Sequence, residues 1–210
     1  MLYIKIKRLI DIVLSLTGLI LLLPIFLILI IAIKLDSKGP VLFKQKRVGI
    51  HKNYFSILKF RTMRIDTPKD MPSHLLKNPD QYITKMGKFL RMTSLDELPQ
   101  IWNIFVGQMS IIGPRPALWN QYDLIKERDK YRANDILPGL TGWAQINGRD
   151  TISIKDKAFY DGEYTKNHGF KMEAKVFLKT IVLVLKKSGI VEGHCAAAVE
   201  KEDKRQDRSN

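Results

Sequence analysis

The sequence predicts an α+β chain, mainly helical. Residues 1–36 form a membrane helix-break-helix that re-enters on one side. Residues 37–195 form a small cytoplasmic domain with a short β-hairpin and interfacial amphipathic helices, and 196–210 form a disordered tail. Three observations predict this. Ile12 to Ile33 carries no charge and is mostly Leu and Ile. Two short runs rich in β-branched and aromatic residues flank a basic turn. Most of the remainder has apolar residues at helical spacing, punctuated by Gly and Pro.

Composition narrows the function classes. The chain has 210 residues and a net charge of +14, which favours an anionic partner: nucleic acid, anionic lipid or a phosphorylated substrate. From Ser37 to Ile65 the basic residues Lys38, Lys44, Lys46, Arg47, Lys52, Lys59, Arg61 and Arg64 occur with no acidic residue among them. The single Cys195 excludes an internal disulfide framework and suggests a reducing compartment. His51, His74, His168 and His194 lack metal-ligand spacing.

As a helix, Ile12–Ile33 would reach roughly 33 Å, enough to cross a bilayer core. It is long for a secretory signal, and no small-residue cleavage site follows. So long an apolar run is also unusual for a core helix of a small soluble domain. Pro24 near its middle removes a backbone hydrogen bond and bends or breaks the helix. Basic residues flank both ends (Lys5, Lys7 and Arg8 before; Lys34, Lys38, Lys44, Lys46 and Arg47 after) and prefer the cytoplasmic side. A break at Pro24 lets both ends lie there, which favours a re-entrant hairpin over a crossing helix. Arg8 and Asp11, at i and i+3, are expected to pair at the membrane edge.

Val41–Phe43 and Tyr54–Phe60 read as strands of a hairpin that presents Lys44, Arg47, Lys59 and Arg61 on one surface. Thr67–Pro79 reads as a loop, and Tyr82–Met92 as a helix with Ile83, Met86, Phe89 and Leu90 in register. Ser94-Leu95-Asp96-Glu97 is a capping-box signature before an apolar run. It predicts a helix from Leu95 to Val106, with Ser94 as N-cap, Glu97 reaching back to the Ser94 N–H, and Gly107 as the stop. Leu98, Ile101, Trp102 and Phe105 form its apolar stripe, suited to core packing or membrane contact. Trp119–Arg132 reads as a charged surface helix. Pro138–Arg149 reads as a glycine-punctuated loop and short strand, without the Gly-Lys-Ser/Thr ending of a P-loop. Lys171–Lys187 reads as a helix with Lys171, Lys175, Lys179 and Lys186 on one face and Phe177, Ile181 and Val184 opposite, fit for a membrane interface or a half-buried surface. The charged stretch Glu200–Asn210 lacks apolar residues.

Two motifs carry chemistry. Asp96 and Glu97 at a helix start stand where backbone N–H groups and partial positive charge attract phosphate and keep a carboxylate ionised. Acidic residues also favour first turns for structural reasons alone. In Gly113-Pro114-Arg115-Pro116 the prolines stiffen the backbone that presents Arg115, whose guanidinium can bind phosphate in bidentate fashion; a turn with a solvated arginine reads equally well. The combination of carboxylates, stiffened arginine, basic hairpin and membrane anchor points to an enzyme acting on a phosphorylated lipid at the cytoplasmic membrane face. A membrane-tethered basic binding protein explains the charge but gives Asp96-Glu97 no task, and a non-catalytic scaffold leaves the intact carboxylate pair unexplained. No nucleic-acid motif is evident, so nucleic acid is set aside as a partner.

From Arg8 to about Gly193 the chain resembles the bacterial sugar transferase family, the small monotopic phosphoglycosyl transferases. The residues that carry the resemblance are Arg8-x-x-Asp11, Phe43-x-Gln45-x-Arg47-x-Gly49, Lys59-Phe60-Arg61-Thr62-Met63, Ser94 to Gln100, Asn103, Met109 to Pro116 and Pro138 to Arg149. The resemblance implies that residues 37–195 are a catalytic domain. It implies transfer of a sugar phosphate from a UDP-sugar to polyprenyl (undecaprenyl) phosphate, with release of UMP, at the bacterial inner membrane. It implies Asp96 as nucleophile forming a phosphosugar-aspartyl intermediate, and Glu97 as a magnesium ligand or proton acceptor, with Asp96 and Glu97 together as the Mg2+ site. Arg115 is implied to bind phosphate, with Arg91, Lys59 and Arg61 as further basic site residues and Pro24 as the membrane break. The residue before Pro24 is Leu23 where relatives often have Ser, and Glu173 stands where they often have Asp, while Asp161 keeps its carboxylate. Homo-oligomerisation, the sugar and the glycoconjugate pathway are left open.

Overall fold

A computed structural model describes residues 2–67, 79–148 and 151–185. Most of the loop expected at Thr67–Pro79, together with Arg149, Lys186, Lys187, His194, Cys195 and the tail 196–210, lies outside the described residues. The fold is mainly helical, with a small amount of strand.

Helix α1 (Leu2–Leu21) and helix α2 (Leu23–Asp36) meet at Leu22 with a bend of 60°. The proline accounts for the break. Pro24 has no N–H to offer the preceding turn, and its ring clashes there. Leu22 N–H still bonds Gly18 C=O and Phe26 N–H bonds Leu22 C=O, both at 2.9 Å, so the ladder resumes on either side. No single described helix is long and apolar enough to cross a membrane, whereas the bent pair together is.

Helix α1 inverts the pattern of a helix in a soluble protein. Its buried stripe is Lys7, Asp11 and Ser15, at i, i+4 and i+8, while Leu9, Val13, Leu16 and Ile20 are exposed. The expected Arg8–Asp11 pair is replaced by separate tasks. Arg8 donates to Ile104 O and Phe105 O, each at 2.7 Å, and Asp11 Oδ1 accepts from Ile111 N–H at 3.0 Å. The carbonyls at the end of α4 and the Ile111 N–H in β3 give each charged side chain a main-chain partner, with Ile104 O accepting from Gly107 N–H (3.0 Å) as well.

Strands β1 (Leu42–Val48) and β2 (Tyr54–Phe60) form the expected antiparallel hairpin, Leu42 opposite Phe60 and Val48 opposite Tyr54. The pleat divides the predicted basic surface. Arg47 and Lys59 share the face that carries Ile57, and Lys44 stands on the other. Arg61 leaves the surface altogether. It is buried and donates to Ser37 O (2.6 Å), Ser37 Oγ (2.9 Å) and Lys38 O (2.7 Å), tying the exit of α2 to the hairpin. Gly39 makes room for it: at φ +123°, a Cβ there would stand 2.1 Å from Arg61 Nη1.

Helix α3 (Lys85–Thr93) is capped by Thr84 Oγ1, which accepts from Gly87 N–H at 2.9 Å. It ends at Ser94, and here the capping-box expectation fails. Ser94 is left-handed (φ 56°, ψ 17°), makes no side-chain cap, and closes α3 with its N–H on the carbonyls of Arg91 and Leu90. A short 3₁₀ turn follows at Leu95–Glu97, then helix α4 (Gln100–Phe105). Pro99 explains why one helix does not run through. It supplies no N–H for Leu95 C=O, which instead accepts from Leu98 N–H at 3.2 Å in the tighter i+3 pattern. The predicted stripe is likewise not the buried face of α4. Gln100, Asn103 and Ile104 are buried, Trp102 is half exposed, and Ile101 lies against Gly18 of α1.

Strand β3 (Ser110–Ile112) pairs in parallel with β4 (Gly139–Thr141). The glycine-punctuated motif serves this crossing. A Cβ on Gly139 would come within 2.1 Å of Gly113 N, and one on Gly142 within 2.1 Å of Gly113 O. Helix α5 (Tyr122–Asp129) is shorter than expected, and Trp143–Ile146 forms a short helix, α6, where a loop was expected. Helix α7 (Ile154–Lys166) packs on α5 and α6. Helix α8 (Phe170–Leu185) buries Val176 with Ile112, Trp143 and Tyr164. Its Lys175 and Lys179 lie over the Trp143 ring at 4.7 and 5.4 Å, while Phe170, Phe177, Leu178, Ile181 and Val184 are exposed.

Candidate active site

Asp96 and Glu97 lie in the 3₁₀ turn, between two leucines that point away from them. Leu95 and Leu98 pack on the cluster of Leu29, Ile33, Phe60 and Leu90, so the turn rests on a core that α2, β2 and α3 build together. Lys59 comes from the end of β2. Its position is set by Asn103, fully buried on α4, which accepts from Leu58 N–H (3.0 Å) and donates to Ser56 O (2.9 Å) and Gln108 Oε1 (2.7 Å). These bonds brace the strand segment that leads directly into Lys59.

The two carboxylates have different surroundings. Glu97 Oε1 accepts from Lys59 Nζ at 2.7 Å and from Arg115 Nη2 at 2.8 Å. Asp96 Oδ2 lies 3.7 Å from Lys59 Nζ, outside hydrogen-bond range. Lys59, Asp96 and Glu97 are each less than a fifth exposed, so little water screens their charges. Burial pushes the Asp96 carboxyl above its ordinary value; Lys59 opposes this and the Glu97 charge adds to it. Burial also acts on Glu97, but Arg115 and Lys59 more than offset it and hold Glu97 well below the usual range. Glu97 is thus a fixed anion and a poor proton acceptor. Asp96, by contrast, hydrogen-bonds neither of these cations.

The family model for bacterial sugar transferases matches residues 2–187. This chain belongs to the bacterial sugar transferase family. It is 40% identical over 185 residues to the uncharacterized sugar transferase EpsL of Bacillus subtilis, covering 88% of this chain and 89% of EpsL. It is 39% identical over 188 residues to the UDP-glucose:undecaprenyl-phosphate glucose-1-phosphate transferase of Klebsiella pneumoniae, covering 83% of this chain and 39% of that protein. It is 35% identical over 203 residues to the UDP-galactose-lipid carrier transferase of Erwinia amylovora, covering 87% and 41%. The chain thus spans about two fifths of the length of these two relatives with named substrates.

In this family member the structure gathers Lys59, Asp96, Glu97 and Arg115 at one point. Arg91, from the last turn of α3, adds positive charge felt at Asp96 while its Nε donates to Thr62 Oγ1 at 2.9 Å. Arg61 is not part of the site, and Pro24 stands at the hairpin break. Asp96 and Glu97 also fit the chemistry of magnesium. Among the described residues no group of three or more His, Cys, Asp or Glu could hold a metal alone. A cation on these two carboxylates would complete its shell with phosphate and water, as magnesium commonly does. Sequence reasoning missed Arg128 and placed Arg47 only on the basic hairpin surface, whereas the guanidinium groups of both hold the backbone around Arg115. No local pattern marks either, since each is paired with carbonyls far along the chain.

Proposed function

We propose that the chain transfers a sugar 1-phosphate from a UDP-sugar to undecaprenyl phosphate or a similar polyprenyl phosphate, releasing UMP. The observation that carries this is the pair of neighbouring carboxylates in unlike surroundings, on a turn whose flanking leucines pack on the core cluster to which α2 gives Leu29 and Ile33. A site built next to the apolar hairpin suits an acceptor phosphate carried on a lipid, while the nucleotide-sugar donor enters from solution. The names of the Klebsiella and Erwinia relatives support a nucleotide-sugar donor and a lipid carrier.

In the proposed mechanism an Asp96 oxygen attacks the sugar-bearing β-phosphorus. The bond from that phosphorus to the bridging oxygen breaks, and UMP leaves with the bridging electrons. A phosphate oxygen of the polyprenyl phosphate then attacks the same phosphorus and displaces the Asp96 carboxylate, giving a polyprenyl-diphosphate sugar. Lys59, Arg91 and Arg115 offset the repulsion between the anionic nucleophile and the diphosphate. Glu97 keeps Lys59 and Arg115 in place between turnovers. Magnesium, held by Asp96, Glu97 and phosphate oxygens, would neutralise charge building on the diphosphate.

The N-terminal pair fits a re-entrant membrane hairpin, since α1 buries its polar stripe and exposes its apolar one. The exposed apolar face of α8 fits the membrane interface, and the flanking basic residues fit the cytoplasmic side of the inner membrane. The deciding experiment incubates the full chain with magnesium, undecaprenyl phosphate and a panel of UDP-sugars and measures UMP. Release with at least one sugar is expected. Release at an undiminished rate by Asp96→Asn would sink the covalent route.

A further inference from the structure

Pro114 and Pro116 leave the segment after β3 without two backbone donors, so it cannot continue a strand ladder. Its carbonyls still need partners. Gly139 N–H donates to Pro114 O at 2.9 Å, Arg128 Nη2 to Arg115 O at 2.9 Å, and Arg47 Nη1 to Pro116 O at 3.0 Å. Two of these three donors are guanidinium groups spent on main chain. Arg128, on α5, is buried, and so is Asp161 on α7. Arg128 Nε donates to Asp161 Oδ2 at 2.8 Å, and Nη2 lies 2.6 Å from the same oxygen. Gly162 lets α7 approach the segment just after α5, since a Cβ there would stand 2.5 Å from Tyr131 Cβ.

A buried ion pair is a poor way to join two helices, because desolvation cancels most of its attraction. Apolar residues would hold α5 to α7 equally well. What they could not do is supply a charged donor, fixed in direction, to the carbonyl of Arg115. From Asp161 the contacts run through Arg128 to the Arg115 main chain, and from the Arg115 side chain to Glu97 at 2.8 Å.

We propose that Arg128, oriented by Asp161, is a positioning residue that fixes the Arg115 main chain so that its guanidinium meets the diphosphate of the nucleotide-sugar. This rests on the reading of Arg115 as a phosphate-binding residue. A guanidinium displaced by about 1 Å loses up to about 100-fold in productive binding and rate, so the clamp matters although it never touches substrate.

The test is a double-mutant cycle on the full chain in lipid nanodiscs, using Arg128→Gln, Arg115→Ala and the double variant. Affinity for uridine diphosphate is measured by calorimetry, kcat/KM by UMP release, and folding by thermal melting. With Arg115 present, Arg128→Gln is expected to weaken uridine diphosphate binding about 10-fold and to lower kcat/KM about 10- to 100-fold. In the Arg115→Ala background it should change neither by more than about 2-fold. Equal losses in both backgrounds mean that Arg128 acts on the fold at large and overturn the proposal. Where Arg128→Gln does not stay folded, Arg128→Lys, which keeps the charge beside Asp161 but not the fork, enters the same cycle with the same two outcomes. A wild-type chain that binds uridine diphosphate but turns over no UDP-sugar fails the proposed reaction, and the binding cycle still decides the clamp. Wild-type affinity indifferent to Arg115→Ala overturns the clamp itself.

Discussion

Arg115 donates to Glu97 at 2.8 Å, and this contact ties the Pro-Arg-Pro segment to the turn that carries Asp96. The arginine that the proposed reaction needs for phosphate is therefore already anchored to a carboxylate one residue from the nucleophile. Glu97 accepts from both Lys59 and Arg115 while Asp96 lies 3.7 Å from Lys59, so two side chains adjacent in sequence stand in unlike surroundings.

That division predicts unlike consequences for the two isosteric changes. Asp96→Asn replaces the anionic carboxylate by a neutral, poorly nucleophilic amide and should lower turnover by roughly 10⁴-fold or more. Glu97→Gln keeps the nucleophile but loosens Lys59 and Arg115, and should cost about 10²-fold, mostly as a higher KM. Acid-quenched reactions with a UDP-sugar labelled in the β-phosphate should leave label on wild type and on Glu97→Gln, and none on Asp96→Asn. Label on Asp96→Asn at the wild-type level would remove Asp96 from the mechanism.

The opposed pKa shifts make a second prediction. Asp96 must be ionised to attack, and burial raises its pKa, so activity should fall with acid at a pH above the ordinary Asp value of about 3.9. Glu97, held low by Arg115 and Lys59, stays ionised through that limb. Glu97→Gln removes a negative neighbour and releases Lys59 toward Asp96, and both effects favour the anion. The acid limb of kcat/KM should therefore move to lower pH in Glu97→Gln, as should the Asp96 carboxyl titration followed by carbon NMR. A limb that moves upward would show that Glu97 does not raise Asp96.

For stability the sign differs between the two. Glu97, depressed in the folded state, contributes stability that is present above its unfolded pKa and lost as pH falls through the folded one. Asp96 costs stability when ionised. Asp96→Asn should therefore melt at least as high as wild type at pH 7, while Glu97→Gln, which removes the charge that Lys59 and Arg115 share at a partly buried site, should melt lower by several degrees. Scanning calorimetry at pH 7 distinguishes these, and the reverse ordering would refute the assignment.

Much of this architecture was legible in the sequence wherever the signal was local. The Pro24 break, the hairpin and the helices at α3 and α8 follow from proline chemistry and periodicity. The capping box misled because Ser94 faces two demands. It closes α3 in a left-handed conformation, and that excludes the extended backbone an N-cap needs. Pro99 then divides what looked like one helix. Helix α7 gave no apolar stripe because its buried face is Ala158, Asp161, Gly162 and Tyr164. Arg61 resembled a site residue by position on a basic hairpin, yet its partners are carbonyls 23 and 24 residues earlier. Lys59 and Arg115 could be suspected from residue type, but their convergence on Glu97 depends on Asn103 and on the β3–β4 crossing, which are non-local.

Asn103 offers a test of that dependence. It is fully buried and satisfies three partners between β2 and the segment after α4. Asn103→Ala leaves those groups unpaired, at about 1–3 kcal/mol for each buried one. Unfolding should therefore show a loss of about 3 kcal/mol. Because Lys59 follows Leu58 directly, residual folded protein should also show a raised KM for the UDP-sugar. A stability loss with unchanged KM would mean that β2 holds Lys59 without Asn103.

The hairpin break depends on Pro24, and its consequence is topological. In Pro24→Ala an N–H returns at position 24 to meet Ile20 C=O, and the ring clash disappears. Nothing else local opposes a straight helix, because Leu23 has no side-chain hydroxyl to take over a backbone partner at the bend. Straightened, Leu2–Asp36 is long and apolar enough to cross. Crossing would pull Lys7, Arg8 and Asp11 away from Ile112, Ile104, Phe105 and Ile111. Two results are expected together: an N-terminal tag that becomes accessible to periplasmic labelling in part of the population, and loss of transferase activity in proportion. Labelling without loss of activity would show that the polar stripe of α1 is dispensable to the site, while an inaccessible tag in Pro24→Ala would show that those contacts hold the hairpin bent without the proline.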